Sequence, residues 1–310
     1  MIKPMLIILI VLLTGAFGFS QERLVNKRLD EVLALVRAKK SFSIDESILY
    51  KQQNHTVVIQ KLESWIIDTM ADVRLYAGKI INKTSLVSMD RATRQKSVNF
   101  LLKLSGDADT RVANEASGYL KNYTYLDFDQ EAQKTIRANI IKKTFGYVNL
   151  LKVAGFLNIP DISGPIKEKI ASGTLSRKEK WAAYLALARL GDATSVDFCL
   201  DEVKKFGLKN NVVYDILPDL IYTRQRKCFD YLVGIIQNNE PLCESANPEA
   251  PGKILCGYRV MEYLAPVIEN FPLKTGISGD IVTKDYKQAL KETRTWFKSH
   301  PDYKIVTDKL

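Results

Sequence analysis

The stretch WAAYLALARLGDATSVDFCLDEV, residues 181–203, contains two helical patterns on either side of a Leu-Gly-Asp break. In its first half, apolar residues recur at intervals of three and four positions, which is the spacing of one face of an amphipathic helix. These residues are Trp181, Tyr184, Leu185 and Ala188. The second half has the same spacing in Val196, Cys199, Leu200 and Val203. The stretch therefore predicts two consecutive amphipathic helices.

Residues in and before this stretch predict where the two helices begin and end. Ser176 and Glu179 have the spacing of a capping box, in which each side chain accepts a hydrogen bond from the other residue's backbone. Gly191 follows the last apolar residue of the first helix, where a left-handed cap favours a residue without a Cβ. Asp192 or Thr194 can cap the second helix. Because the connection is short, we expect an antiparallel hairpin, which needs neighbours to bury its apolar faces.

The same apolar pattern recurs on both sides of the hairpin. A step of 32 residues forward gives Val213, Ile216, Leu217, Leu220, Cys228, Tyr231, Leu232 and Ile235. A step of 34 residues back gives Tyr147, Leu150, Leu151, Ala154, Ile162, Pro165, Ile166 and Lys169, of which all but Lys169 fit the pattern. A longer step of 47 residues from Val213 reaches Val260, and an insertion loop at 239–254 accounts for the extra length. A two-helix unit repeated at this interval predicts an α-solenoid.

The repeating segments resemble the HEAT-repeat family. The resemblance is carried by the Ala-rich first helix and Leu-Gly-Asp turn of WAAYLALARLGDATSVDFCL, and by two segments that open on Asp-x-Arg, ADVRLYAGKII and DADTRVANEASGYL. It is clearest over 140–240 and implies an all-α fold, a HEAT/ARM-like superhelix of antiparallel helix pairs. The family pattern also implies four residues that link successive units: Asp72, Arg74, Asp109 and Arg111. The resemblance says little about activity, because one architecture serves many functions.

Helical patterns at the two ends of the chain are expected to close the stack. The first covers 22–40, where Leu24, Leu29, Val32 and Val36 give one apolar side. The second covers 284–300. Terminal units of a solenoid need one polar outer face, because they have a neighbour on one side only.

The first twenty residues differ in kind from the rest. Lys3 precedes an apolar run of 15 residues, Met5 to Phe19, and a small-x-small motif ends at Ser20. This is the pattern of a secretory signal peptide, and the run is shorter than the ~20 residues of a spanning helix. We expect cleavage before Gln21, at a junction that resembles bacterial ones, with an uncleaved anchor as the alternative. Residues 21–310 would then form one exported domain without a transmembrane segment, periplasmic or extracellular.

The four cysteines are interpreted in the light of export, because disulfides persist in oxidising compartments. Cys243 and Cys256 flank the insertion loop, and we predict a disulfide between them. Cys199 and Cys228 fall on the apolar faces of two second helices, where they either pair or remain buried thiols. The chain has no C-x-x-C motif and only 2 histidines, so we expect no metal site and no cofactor.

The chain is basic, with a formal net charge of +10. Export favours acidic glycans, lipid headgroups or another protein as partners over nucleic acid, and solvated lysine-rich helix faces are the alternative. One cluster is unusual, because three cations are expected in the first turn of a second helix, where they oppose the helix dipole. These are Arg224, Arg226 and Lys227, which together with Lys204 and Lys205 we call the basic strip. Chance clustering competes with a binding role for it.

Catalytic motifs are lacking. His55 and His300 are the only histidines, and each is expected at a helix end in a structural role. Nucleophile elbows, phosphate-binding loops and zinc-binding H-E-x-x-H motifs do not occur in the sequence. We therefore predict a binding protein, not an enzyme, that presents a concave helical surface to a protein or an anionic polymer. The alternatives are an enzyme on a HEAT-like scaffold, such as a glycosylase or lyase, and a periplasmic immunity or inhibitor protein.

Overall fold

A computed structural model describes residues 21–41, 43, 49–245, 249 and 251–307. The predicted signal peptide, 1–20, lies outside the described residues. The described chain is mainly helical, with one sheet of two short strands among these residues. The all-α prediction is therefore confirmed. Within the described residues, helices that combine the length and the apolar character needed to cross a bilayer are absent.

The chain divides into two compact units, and the division falls between Leu150 and Leu151. The helices of the first unit are α1 (21–37), α2 (His55–Lys61), α3 (Ala71–Leu86), α4 (Arg91–Ser105), α5 (Thr110–Tyr119), α6 (Gln130–Lys142) and the start of α7 (Tyr147–Leu157). Short 3-10 turns connect several of them, at Gln52–Asn54, Trp65–Ile67, Leu120–Asn122 and Tyr125–Asp127.

Aspartate side chains begin three helices of the first unit. Asp90, Asp109 and Asp129 precede α4, α5 and α6, and each accepts hydrogen bonds from backbone N–H groups of the first turn. The three helices α3, α4 and α5 pack against one another. Their buried faces, with Ile80 and Leu101 fully enclosed, form the core of this unit.

The apolar side of the first helix differs from the prediction at one position. Leu29, Val32 and Val36 are buried as expected, but Leu24 is exposed and Val25 is buried in its place. At about 100° per residue, Val25 lies on the same face as Leu29 and Val32, whereas Leu24 is turned away from it. At the start of α1 the predicted apolar face is therefore wrong by one residue.

Arginine–aspartate pairs connect neighbouring helices of the first unit. Arg74 donates to both carboxylate oxygens of Asp107, at 2.6 and 2.8 Å. Arg94 donates to Asp127 at 2.8 Å. Arg111 lies 3.2 Å from Asp72. Of the four residues that the family pattern implied, Asp72 and Arg111 therefore pair with each other.

Asp109 and Arg74 have other partners. Asp109 caps α5 and accepts from Arg111 within the same turn, at 3.0 Å. Arg74 reaches Asp107, two residues before the aspartate that the pattern indicated. The two arginines thus connect α3 with the start of α5 at two points.

The second unit contains the remaining helices and the two strands. Its helices are the end of α7, α8 (Ser163–Ala171), α9 (Arg177–Arg189), α10 (Ala193–Lys205), α11 (Asn210–Asp215), α12 (Leu217–Thr223), α13 (Arg226–Gln237), α14 (Gly257–Leu264) and α15 (Tyr286–Ser299). One hydrophobic core runs through this unit from Leu185 on α9 to Phe297 on α15.

The predicted hairpin is confirmed in its local detail. Ser176 and Glu179 form the capping box at the start of α9. Gly191 adopts a left-handed conformation, with φ of 88°, just after α9 ends. Asp192, not Thr194, caps α10, and its side chain accepts from the backbone N–H of Ser195 at 3.0 Å. The apolar faces of the two helices pack against each other.

The next unit of the pattern departs from a single first helix. Residues 213–220 were expected to be one continuous helix, but α11 ends at Asp215 and α12 begins at Leu217. Ile216 between them has φ of −117°, outside the usual helical range. Pro218 explains the break, because proline lacks the backbone N–H that a continuous helix would use and its ring restricts the preceding residue.

The predicted disulfide is confirmed. Cys243 and Cys256 are bonded, with their Cα atoms 5.1 Å apart. The bond closes a short hairpin inside the insertion loop, in which Cys243 pairs with Ile254 and Glu244 with Lys253. Cys199 and Cys228, which the sequence left open, are free and buried. Burial raises the pKa of the Cys199 thiol, so it is held in its neutral, unreactive form.

Candidate ligand-binding cleft

Arg224, the first of the three clustered cations in the basic strip, does not lie where the sequence predicted. This residue is not in the first turn of a helix but at the C-terminal end of α12, in a left-handed conformation with φ of 55°. Its side chain is buried, and Nη1 donates to the carbonyl oxygen of Ile221 at 2.5 Å. The chain reverses direction here before α13 starts, which turns the arginine inward. Arg224 is therefore part of the fold's interior.

Arg226 and Lys227 do lie in the first turn of α13, as predicted, but each has a carboxylate partner. Arg226 Nε donates to Asp230 at 2.7 Å, and its guanidinium lies 4.1 Å from the centre of the Tyr303 ring. Lys227 pairs with Asp197 of α10. The hydrogen bonds to these carboxylates raise the pKa of both cations. These carboxylates, which belong to the same unit, thus offset the unfavourable interaction of the two cations with the helix dipole.

Lys204 and Lys205 lie at the far end of α10. They pair with carboxylates one turn earlier, Lys205 with Glu202 at 2.5 Å and Lys204 with Asp201 at 4.0 Å. Lys227 meets α10 near its start, at Asp197, and Lys204 lies about 10 Å further along the helix. Because Arg224 is buried, the five residues of the basic strip do not form one exposed surface.

A cleft of about 670 Å³ lies between α9, α10 and the α11–α12 junction. We call it the ligand cleft. Its lining residues combine aromatic side chains with charged ones: Arg177, Lys178, Lys180, Trp181, Phe198, Glu202, Phe206, Asp215, Ile216 and Asp219. This volume falls within the range of small-molecule and side-chain binding sites, ~300–1,000 Å³.

A polar network fixes the tryptophan of the cleft. The indole Nε1 of Trp181 donates to Asp219 Oδ2 at 2.7 Å, and Lys152 Nζ donates to Asp219 Oδ1 at 2.6 Å. Tyr222 in turn donates to the carbonyl oxygen of Lys152 at 2.8 Å, and burial raises the pKa of the Tyr222 hydroxyl, so it remains a donor. The carboxylate of Asp219 is therefore neutralised, and the indole ring is held in one orientation.

Two phenylalanines of α10 and its C-terminus add apolar surface. Phe198 stacks on Tyr184 of α9, with ring centres 3.8 Å apart. Phe206 follows the last turn of α10 and is partly exposed. Together with Trp181 these rings give the cleft an aromatic floor that a ligand can contact without rearrangement of the helices.

The rim of the cleft carries three cations. Arg177, Lys178 and Lys180 occupy the first turn of α9 and are exposed, and they form no ion pair with another described residue. The cleft's carboxylates do not offset them fully, because Asp219 pairs with Lys152 and Glu202 with Lys205. Asp215 is the exception, exposed and also without an ion pair among the described residues. Of the three cations and three carboxylates that line the cleft, three cations and one carboxylate therefore have no ion pair among the described residues.

The sequence itself contains a signal for this rim. The segment SRKEKW places three cations in the first turn of a helix directly before the tryptophan. The dipole argument that singled out Arg226 and Lys227 applies equally to Arg177 and Lys178. The aromatic floor could not be found in this way, because Trp181 comes from α9, whereas Phe198 and Phe206 come from α10 and its C-terminus.

The two histidines have structural positions. His55 is buried at the start of α2, and its Nε2 donates to the carbonyl oxygen of Tyr50 at 2.7 Å. His300 caps the C-terminus of α15 and stacks on Trp296, with ring centres 4.5 Å apart. Neither residue lines the ligand cleft.

No family model, curated protein or solved structure matches the chain at a significant level. The resemblance to HEAT repeats therefore remains a proposal. The function likewise has to be argued from the side chains of the ligand cleft.

Proposed function

We propose that the chain is an exported, HEAT-like helical binding protein, and that its ligand cleft binds an acidic segment of a partner protein. One observation carries this proposal: Arg177, Lys178 and Lys180 surround an aromatic floor and have no carboxylate partner among the described residues. Exposed cations next to an apolar recess attract a ligand that combines the two complementary features.

The geometry supports a specific division of roles within the cleft. Trp181 is oriented by Asp219, so it offers a fixed ring for an apolar or aromatic side chain of the partner. The three rim cations are available for carboxylates of the same segment, and Arg177 can donate two parallel hydrogen bonds to one of these carboxylates. Asp215 would disfavour ligands that carry an acidic group at its side of the cleft.

Recurring contacts support the HEAT-like architecture. In the second unit, α9 and α10 form a hairpin with a three-residue connection, 190–192. In the first unit, Arg74–Asp107 and Arg94–Asp127 have the same sequence separation of 33 residues. A constant separation is expected where a two-helix unit repeats, because each unit meets the next in the same way.

Export is supported by the N-terminal pattern and by the Cys243–Cys256 disulfide, because such bonds persist in oxidising compartments. The intact mass of protein recovered from the exported fraction tests this. We expect a chain that starts at or within about two residues of Gln21. A mass that includes Met1 to Ser20 would favour the anchored alternative.

The binding proposal is tested with a peptide probe of stated chemistry. Fluorescence anisotropy would measure the affinity of a fluorescein-labelled peptide of alternating Asp and Phe residues. We expect Arg177→Gln/Lys178→Gln/Lys180→Gln to lower the affinity about tenfold and to weaken its salt dependence, since fewer ion contacts remain. The matched control is Lys287→Gln/Lys291→Gln/Lys298→Gln, three exposed cations on α15, which should leave the affinity unchanged.

Other outcomes would contradict the proposal in different ways. Equal losses in the two triple variants would indicate a general effect of net charge. A larger loss of affinity in Arg226→Gln/Lys227→Gln would indicate that the peptide binds at the basic strip instead. Binding of polygalacturonate but not of the peptide would indicate an anionic polymer in place of an acidic protein segment.

A further inference from the structure

A second cavity, of about 350 Å³, lies between α12, α14 and a short hairpin at 274–282. We call it the arginine pocket. It lies entirely within the second unit, and none of its described lining residues also lines the ligand cleft. Its volume is within the range of ~300–1,000 Å³ that is found for small-molecule sites, so the pocket can be considered as a binding site in its own right.

Two arginines from different elements meet at this pocket. Arg224, at the end of α12, is only 8% exposed, and its Nη1 donates to the carbonyl oxygen of Ile221. The guanidinium of Arg259, on α14, lies 4.7 Å from the centre of the Tyr263 ring and 5.2 Å from that of the Tyr214 ring. Contacts with aromatic rings restrict the orientation of a planar guanidinium, so both arginines are held in place before a ligand arrives.

The charges of the lining do not cancel. Among the described residues that line the pocket, two are cations and one, Glu262, is a carboxylate. Both oxygens of Glu262 already accept a hydrogen bond, one from Arg259 at 2.6 Å and the other from the Tyr286 hydroxyl at 2.7 Å. Asp280 lies 3.7 Å from Arg259, beyond hydrogen-bond distance, and its side chain is 56% exposed, so solvent weakens its effect. The lining therefore has one more positive than negative charge.

The walls of the pocket are largely apolar. Pro218 and Ile221 come from α12, and Pro266 and Val267 come from the turn that follows α14. The hairpin contributes Ser278, which borders the pocket near the hairpin tip and is exposed. Apolar walls beside guanidinium groups are complementary to a ligand with a carboxylate at one end and hydrocarbon at the other.

We propose that the arginine pocket binds a small carboxylic acid, with its carboxylate at Arg224 and Arg259 and its hydrocarbon body against the apolar walls. A guanidinium can donate two parallel hydrogen bonds to one carboxylate, which fixes the orientation of the ligand. One negative charge equals the excess positive charge of the lining. A phosphate ester carries about 1.5 to 2 negative charges at neutral pH, so Glu262 would repel it more strongly. The pocket therefore favours a singly charged acid.

The test uses the full chain and hydrocinnamate, in which a short hydrocarbon chain joins a phenyl ring to a carboxylate. A ligand-observed NMR titration would measure its dissociation constant. Two comparison ligands vary the charge: hydrocinnamamide has nearly the same shape but no charge, and phenyl phosphate carries more charge. We expect hydrocinnamate to bind about tenfold more tightly than either of them.

Two substitutions at one exposed position test the pocket without a change in the buried core. Ser278→Glu places a carboxylate beside the guanidinium groups, where it competes with the ligand, and we expect the affinity for hydrocinnamate to fall about tenfold. Ser278→Gln has nearly the same shape without the charge and should bind within about twofold of the parent. Both variants should melt close to the parent, because Ser278 is an exposed hairpin residue.

Several results would overturn the proposal. Equal affinity for hydrocinnamate and its amide, or for the parent and Ser278→Glu, would show that the guanidinium groups do not bind the carboxylate. Tighter binding of phenyl phosphate would indicate a phosphate site instead. The variant Arg177→Gln/Lys178→Gln/Lys180→Gln should bind hydrocinnamate as the parent does. Loss of hydrocinnamate binding in that variant would place the acid in the ligand cleft and overturn the assignment to the arginine pocket.

Discussion

Arg74 binds Asp107 through both carboxylate oxygens, at 2.6 and 2.8 Å, across 33 residues of sequence. The same guanidinium donates to the carbonyl oxygen of Asp68 at 2.7 Å. One side chain thereby connects the start of α3 with the segment that leads into α5. The carboxylate of Asp107 is largely buried, at 8% exposure, so the pair is partly shielded from solvent.

Replacement of this arginine should destabilise the first unit. Arg74→Ala leaves the Asp107 carboxylate buried without its partner, and we expect a loss of about 3 kcal/mol in the free energy of unfolding. Arg74→Lys should recover only part of it, because an ammonium cannot donate in a planar fork. Urea unfolding followed by circular dichroism measures both. Arg111→Ala is the control and should change the midpoint much less, since Arg111 is 59% exposed.

The same pair predicts how stability depends on pH. Burial raises the pKa of Asp107, but the hydrogen bonds from Arg74 and from the backbone of Asp109 outweigh it, so the pKa lies below its ordinary value of 3.8. A depressed folded-state pKa means that the ionised carboxylate stabilises the fold above pH 3.8 and that this contribution is lost as the pH falls below it.

Melting temperatures recorded between about pH 6 and pH 3 would check this sign. We expect the parent to lose more stability than Arg74→Ala over the acidic part of the range, because the variant has already lost the pair. Parallel curves for the two proteins would show that Asp107 does not contribute in this way.

The cysteines should fall into two chemical classes. Peptide mapping without reduction should link Cys243 to Cys256, and thiol reagents should reach Cys199 and Cys228 only after unfolding, because both are buried. Cys243→Ser/Cys256→Ser should cost up to ~3 kcal/mol, the loop-closure contribution of a bond that spans a short loop. Rapid labelling of Cys199 in folded protein would contradict the burial seen here.

The orientation of Trp181 should matter more for binding than for stability. Trp181→Phe keeps an aromatic ring but removes the hydrogen bond from Nε1 to Asp219, which should cost about 1 kcal/mol of stability. We expect a several-fold loss of affinity for the acidic peptide, measured by anisotropy as above. Trp296→Phe on α15, outside the lining of the cleft, is the comparison and should bind normally. Unchanged affinity in Trp181→Phe would show that the indole N–H and its orientation do not contribute to binding.

Features of the fold that depend on neighbouring residues were readable from the sequence. Three such features were predicted: the capping box of Ser176 and Glu179, the left-handed Gly191 and the Asp192 cap. Each involves residues only a few positions apart, so a short stretch of sequence is enough to predict it. The helix periodicity and the flanking positions of Cys243 and Cys256 are local signals of the same kind. The break at Pro218 is also a local feature, but the apolar spacing continues across it and so predicted one helix.

Only the tertiary structure decided which charges are free. Lys227 meets Asp197 across 30 residues, and Trp181 meets Asp219 across 38. Such pairs depend on how helices pack, which the spacing within one helix does not specify. Arg224 shows the same effect. The sequence predicted an exposed cation, but the left-handed conformation of Arg224 at the end of α12 is accompanied by a buried side chain. Whether a cation can pair with a partner depends on the carboxylates that helix packing brings close to it. For this reason we propose the ligand cleft, and not the basic strip, as the binding site.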